Sequence, residues 1–172
     1  MDIYEVFRKR QSIRGYTDQP IPQNALGRIG EAVSLAPTAC NLQPFEIQVV
    51  FNDKLRSKIA SVYPRDWLKT APAIAIAIGD RGTAWKRAEG DSIIDVDIGI
   101  VMEHFILSAR AEGLGTCWIC AFNRAEMDAV MGLSGTEKSV VAITPVGYAK
   151  EEKSSDERPK RKPLKEIFRI VD

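Results

Sequence analysis

The spacing of apolar side chains divides this chain into alternating helical and extended stretches. Ile3, Val6 and Phe7 share one helical face between Asp2 and Lys9. A second helical pattern runs from Pro22 to Leu35, with Pro22 near its first turn, where a missing N–H costs nothing. Residues 46–51 (EIQVVF) are rich in β-branched side chains and predict a strand. So do the apolar run 73–78 (AIAIAI) after Pro72, residues 117–122 and residues 140–147. Short helices are expected over 53–60 and 124–131. From Ser92 to Glu112 the pattern predicts one long helix, stopped by Gly113. It is apolar on most sides, through Ile94, Val96, Ile98, Ile100, Val101, Phe105 and Ile106, and therefore needs cover on every face. One chain of 172 residues can hardly provide that, so a subunit interface is expected there. Residues 149–163 are charged and loop-like; apolar spacing then returns in LKEIFRIV, as in an arm that docks on something.

Composition narrows the class without naming a function. A chain of 172 residues makes one domain with a real core, and 45% hydrophobic with 27% charged residues is ordinary for a globular protein. A net charge of +1 offers no footprint for nucleic acid or a membrane surface. No run of about 18 apolar residues exists to span a bilayer. The N-terminal MDIYEVFRKRQSIRGY is too charged for a secretory leader, and three cysteines do not make a disulfide framework. A reducing cytoplasm is the expected compartment.

Two stretches carry candidate chemistry. In RQSIRGY, an extended backbone would turn Arg10, Ser12 and Arg14 to one side. Two guanidinium forks and a hydroxyl suit a phosphate monoester beside an electron-rich group, although a solvated basic turn would read the same way. Lys160, Arg161 and Lys162 form a second basic cluster. In APTACNLQPFE (36–46), Thr38, Asn41 and Gln43 offer donors and acceptors between two prolines. Such a loop can read a heterocycle edge of alternating donors and acceptors, as in a flavin's pyrimidine ring. It can also be a turn whose amides satisfy their own backbone.

Taken in order, RQSIR, APTACNLQPF, EGLGTCWICAF after the long helix, PVGYAK and the terminal RKPLKEIF resemble the FMN-dependent nitroreductase-like family in its compact form. The resemblance spans nearly the whole chain. It implies an α+β fold with a central, mostly antiparallel sheet flanked by helices, and an arm-exchanged homodimer holding FMN at the subunit interface. It implies a single FMN-binding domain over 1–172, whose extension 149–172 docks on the partner. Arg10 and Ser12 would meet the FMN phosphate, helped by Arg161 and Lys162, with Arg14 near the N1–O2 side of the ring. Pro37, Thr38, Ala39, Asn41 and Gln43 would approach from the other subunit, and Ile119, Cys120 and Ala121 would pass the flavin with backbone N–H groups near N5 or O4. The activity implied is NAD(P)H-dependent reduction of a nitroaromatic, quinone or similar electrophile by a ping-pong mechanism, with no side-chain acid or nucleophile. An FMN-binding protein without NAD(P)H turnover is the alternative. Cys120 departs from the pattern, which favours a small residue there, and WKRAEGD around Trp85 has no family counterpart.

Other motifs point nowhere. Cys117 and Cys120 lie three apart in a stretch expected to be a strand, on opposite faces, so packing is expected rather than a dithiol. Zinc would want two further ligands, and only Cys40 and His104 remain; no metal site is expected. His104 reads as a locally satisfied helix residue. Asp95 and Asp97 fall on different helix faces, and GLG at 113–115 lacks the third glycine and preceding strand of a dinucleotide cradle.

Overall fold

The computed structural model describes residues 1–154 and 157–171. Helices α1 (Ile3–Lys9), α2 (Gln23–Ser34), α3 (Asp53–Val62), α4 (Ile94–Ala111), α5 (Arg124–Met131) and α6 (Leu164–Ile167) surround a sheet of β1 (Phe45–Val50), β2 (Ala73–Asp80), β3 (Gly115–Thr116) and β4 (Lys138–Gly147). The strand order is β1-β2-β4-β3 and every pairing is antiparallel.

The alternation in β2 builds both faces of the core. Ile74, Ile76 and Ile78 point to the layer of Ile59, Leu68 and Met127. Ala73, Ala75 and Ala77 point the other way, toward Val101, Phe105, Ile98 and Met102 of α4. Small residues on that face let α4 lie close to the sheet. At Gly79 the approach is so tight that an added Cβ would sit 2.4 Å from Ile94 Cγ1.

Helix α4 ends in a left-handed turn. Gly113 has φ +79°, its N–H reaches the Arg110 carbonyl at 3.0 Å, and the Leu114 N–H reaches Ala109 at 2.8 Å. Its cover comes largely from this one chain: α1, α2 and strands β2, β3 and β4 all pack on it. Val96 and Ile100 stay exposed, at 53% and 36%. The apolar composition therefore does not by itself demand a second subunit, contrary to the expectation.

The predicted strand 117–122 is not formed. Ladder β3–β4 pairs Gly115 with Gly147 and Thr116 with Val146, then breaks, and resumes only as a bridge between Ile119 and Ile143. The register puts Cys117 opposite Pro145, which has no N–H to give. The Thr144 hydroxyl fills the gap, accepting the Cys117 N–H at 3.0 Å and donating to the Pro145 carbonyl at 3.1 Å. One side chain is thus interposed where a backbone rung would be; the chain rejoins β4 at Ile119 in the same register and leaves the sheet after it.

Beyond β4, residues 150–153 strap back over the start of the chain. The Lys153 N–H donates to Gln11 Oε1 at 3.0 Å, and Glu152 is forked by Arg110. The arm then leaves: Leu164, Ile167, Phe168, Ile170 and Val171 are all more than 60% exposed. Ser155, Asp156 and Asp172, which the expected extension includes, lie outside the described residues.

Candidate functional site

The basic triplet is held in the extended form that its alternation suggested. Ile13 is buried at 3% exposure while Ser12 and Arg14 on either side are exposed. Ser12 bridges Thr116 in parallel, and the Ile13 N–H donates to the Thr116 carbonyl at 2.8 Å. Gly115 permits this contact, since a Cβ there would lie 2.6 Å from Ile13 Cγ1 and 2.9 Å from its Cβ. Arg10 caps α1, its N–H on the Val6 carbonyl at 2.8 Å. Arg10 and Ser12 then line a cavity of about 280 Å³ with Thr116, Trp118, Glu103 and Ile106.

Cys117 sits behind that cavity. Burial pushes its thiol above the ordinary range, and Arg14, Ser12 and Arg10 pull it back. Ile119 is buried in the exchange of backbone bonds with Ile143. Cys120 and Ala121 are exposed, and their N–H groups meet no protein acceptor among the described residues. Cys120 is thus not packed away as expected; the chain leaves the sheet after Ile119, and Cys120 lies at the surface, where the Trp118 indole N–H donates to its Sγ at 2.8 Å. All three cysteines are free.

The stretch 36–46 owes its order to backbone strain held by few contacts. Cys40, Asn41 and Gln43 all have positive φ, at 51°, 54° and 50°, a region L-residues seldom enter. The Gln43 N–H donates to Thr38 Oγ1 at 3.0 Å, and the Ala39 N–H donates to Asp97 Oδ1 at 3.1 Å. The Gln43 amide reaches Asn41 Oδ1 at 3.3 Å, so the two amides partly satisfy each other. Pro37 is exposed beside Thr38 and Ala39.

Within one chain the loop and the triplet are not brought together. The loop is tied to α4 at Asp97, whereas the cavity touches α4 at Glu103 and Ile106, roughly 9–14 Å further along the helix. Arg161 and Lys162 are exposed and stand outside that cavity. Trp85, 39% exposed, rides a turn closed by a bridge from Lys86 to Ser92. His104 Nδ1 meets the Ile100 carbonyl at 3.1 Å, the local bond expected. Asp95 pairs with Arg124 on the outer face while Asp97 is buried, so the two carboxylates do part company.

Three positioning residues escape a reading by motif: Gly115, Thr144 and Asp97. Pro145 inside an apolar strand was a signal that the neighbouring ladder must break. Nothing in the sequence marks Asp97.

A family model described as the Nitroreductase family matches residues 7–63 and 59–148. The chain belongs to the nitroreductase family. A relative from Archaeoglobus fulgidus, provisionally named NADH dehydrogenase/NAD(P)H nitroreductase, is 30% identical over 148 residues, covering 84% of this chain and 83% of its own. The crystal structure of a nitroreductase family protein from Clostridium difficile superposes with a TM-score of 0.87 at 28% identity, covering 100% of this chain and 99% of its own. A Bacillus subtilis protein named FMN reductase [NAD(P)H] is 28% identical over 130 residues, 67% of this chain and 52% of the relative. The antiparallel sheet between helices is thus the fold of the nitroreductase family. Among the described residues no helix is long and apolar enough to cross a membrane.

Proposed function

We propose that this nitroreductase, acting over 1–172 as one unit, binds FMN and works as an NAD(P)H-dependent oxidoreductase, with two copies forming each site. The observation that carries the reading is the meeting of Arg10, Ser12 and the Thr116–Trp118 segment around one cavity, with unpaired backbone N–H groups just beyond it. The donor set fits the group. The Arg10 guanidinium and Ser12 hydroxyl suit a phosphate monoester. Arg14 would supply a cation for the N1–O2 side of the ring, and the Cys120 and Ala121 N–H groups suit N5 or O4.

Residues that one chain leaves apart are those a partner would complete. Pro37, Thr38, Ala39, Asn41 and Gln43 would come from the second copy, and Arg161 and Lys162 would reach the phosphate once the arm docks. The exposed apolar tail from Leu164 to Val171, and Ile3, Tyr4 and Phe7 of α1, are surfaces such a dimer would cover. Bound FMN would supply hydride transfer from NAD(P)H to a nitroaromatic, quinone or similar electrophile, the two substrates using one pocket in turn as in ping-pong kinetics. The chain's own task is to anchor, orient and stabilise charge. A cytoplasmic setting suits three free thiols.

The test is the visible absorption spectrum of the purified protein, before and after anaerobic addition of NADH and NADPH separately. A yellow band bleached by either donor is the expected result. Arg10→Ala and Ser12→Ala should weaken FMN retention while Cys117→Ser leaves it nearly intact. A colourless protein that takes up no FMN overturns the proposal, and a yellow protein that neither donor bleaches leaves a flavin binder without turnover.

A further inference from the structure

Asp97 is 1% exposed in the first half of α4. Oδ1 accepts the Ala39 N–H, while Oδ2 has no hydrogen-bond partner among the described residues. Among the described residues no cation pairs with Asp97; Arg124 pairs with Asp95 on the outer face of the same helix. A buried carboxylate with one neutral hydrogen bond is a burden on stability, and an apolar side chain of similar volume would suit this position between Ile94 and Ile98 better. Stability therefore does not explain it.

What the carboxylate holds is the start of the strained turn. Three left-handed L-residues follow within four positions of Ala39, and each is disfavoured by the clash of Cβ with the next carbonyl. The turn's other hydrogen bonds, from the Gln43 N–H to Thr38 Oγ1, the Asn41 N–H to the Thr38 carbonyl and the Leu42 N–H to the Ala39 carbonyl, are internal and would move with the loop, while its far end is held to β2 by the Asp80 N–H on the Pro44 carbonyl. Asp97 is the side chain that ties the loop to a rigid helix. Strain of this kind persists only where the surroundings over-determine it.

We infer that Asp97 is a positioning residue: it fixes Thr38–Gln43 in the conformation that meets the flavin, at the expense of fold stability. The inference rests on the proposed role of that loop at the FMN site. Its test compares Asp97→Leu, which removes the acceptor but fills the space, with Asp97→Asn, which keeps an acceptor. Asp97→Leu should melt at or above the wild-type temperature, yet bind FMN about tenfold more weakly, the size of one lost hydrogen bond. Asp97→Asn should restore FMN affinity to within about threefold. Amide exchange at Ala39–Gln43 should quicken in Asp97→Leu and not in Asp97→Asn, with or without FMN.

The controls separate the two ideas. Wild-type protein that takes up no FMN defeats the functional proposal, and the exchange measurement still decides whether Asp97 holds the loop. Wild-type exchange and FMN affinity in Asp97→Leu would overturn the inference. Should Asp97→Leu fail to fold, Asp97→Ala carries the same comparison of exchange and affinity against Asp97→Asn.

Discussion

Replacing Thr144 by valine tests the interposed rung directly. Valine has nearly the same shape, so packing around this fully buried residue stays constant and only the hydroxyl is removed. Two buried backbone groups then lose their partner: the Cys117 N–H, now 3.0 Å from Oγ1, and the Pro145 carbonyl, now 3.1 Å away. Leaving a buried donor or acceptor unsatisfied costs about 1–3 kcal/mol, but the carbonyl has a second lone pair and weaker demands. The expected loss is therefore about 2–4 kcal/mol. Thr144→Ser keeps the hydroxyl and gives up one methyl, about 1 kcal/mol. Urea unfolding, with the midpoint and slope fitted for each variant, reads both numbers. A valine variant within about 0.5 kcal/mol of wild type, or one more stable than the serine variant, would refute the rung. Because the segment it holds leads to Cys120 and Ala121, FMN retention should fall in the valine variant and return in the serine one.

Gly115→Ala should cost about 1–3 kcal/mol by pressing a methyl into Ile13, and should weaken FMN binding by displacing Ser12 and Arg14; an unchanged urea midpoint would count against the close contact. Glu152 is held below the ordinary carboxylate range first by its hydrogen bond to Arg110. A lowered folded value means the strap's contribution is fully present above that ordinary range and is lost as pH falls through the lowered folded value. Amide protection at 150–153, taken relative to the intrinsic exchange rate at each pH, should therefore fall in acid, and Glu152→Gln should show the lower protection already at neutral pH. In FMN-free protein a thiol reagent should modify Cys40 and Cys120 at once and Cys117 only on unfolding; rapid labelling of all three would contradict its burial.

The order of elements and the family were legible because both depend on local pattern. Helix and strand periods need only neighbouring residues, so AIAIAI and the long run before Gly113 announced themselves. The extended backbone at RQSIR also followed from alternation, with Ile13 buried between two exposed polar residues. What failed depends on partners distant in sequence. The strand expected over 117–122 is interrupted where its register sets Cys117 against Pro145, a residue 28 positions on, and pairs again only at Ile119. The long helix looked short of cover because alanines of β2, which let it approach the sheet, give no sign in the sequence of which face they will occupy. Asp97 and Ala39 are 58 residues apart, and the bond between them exists only once the loop has been folded over the start of α4. Sequence fixes what a backbone can do over a few residues; which buried groups must satisfy one another is decided when remote segments are excluded from water together.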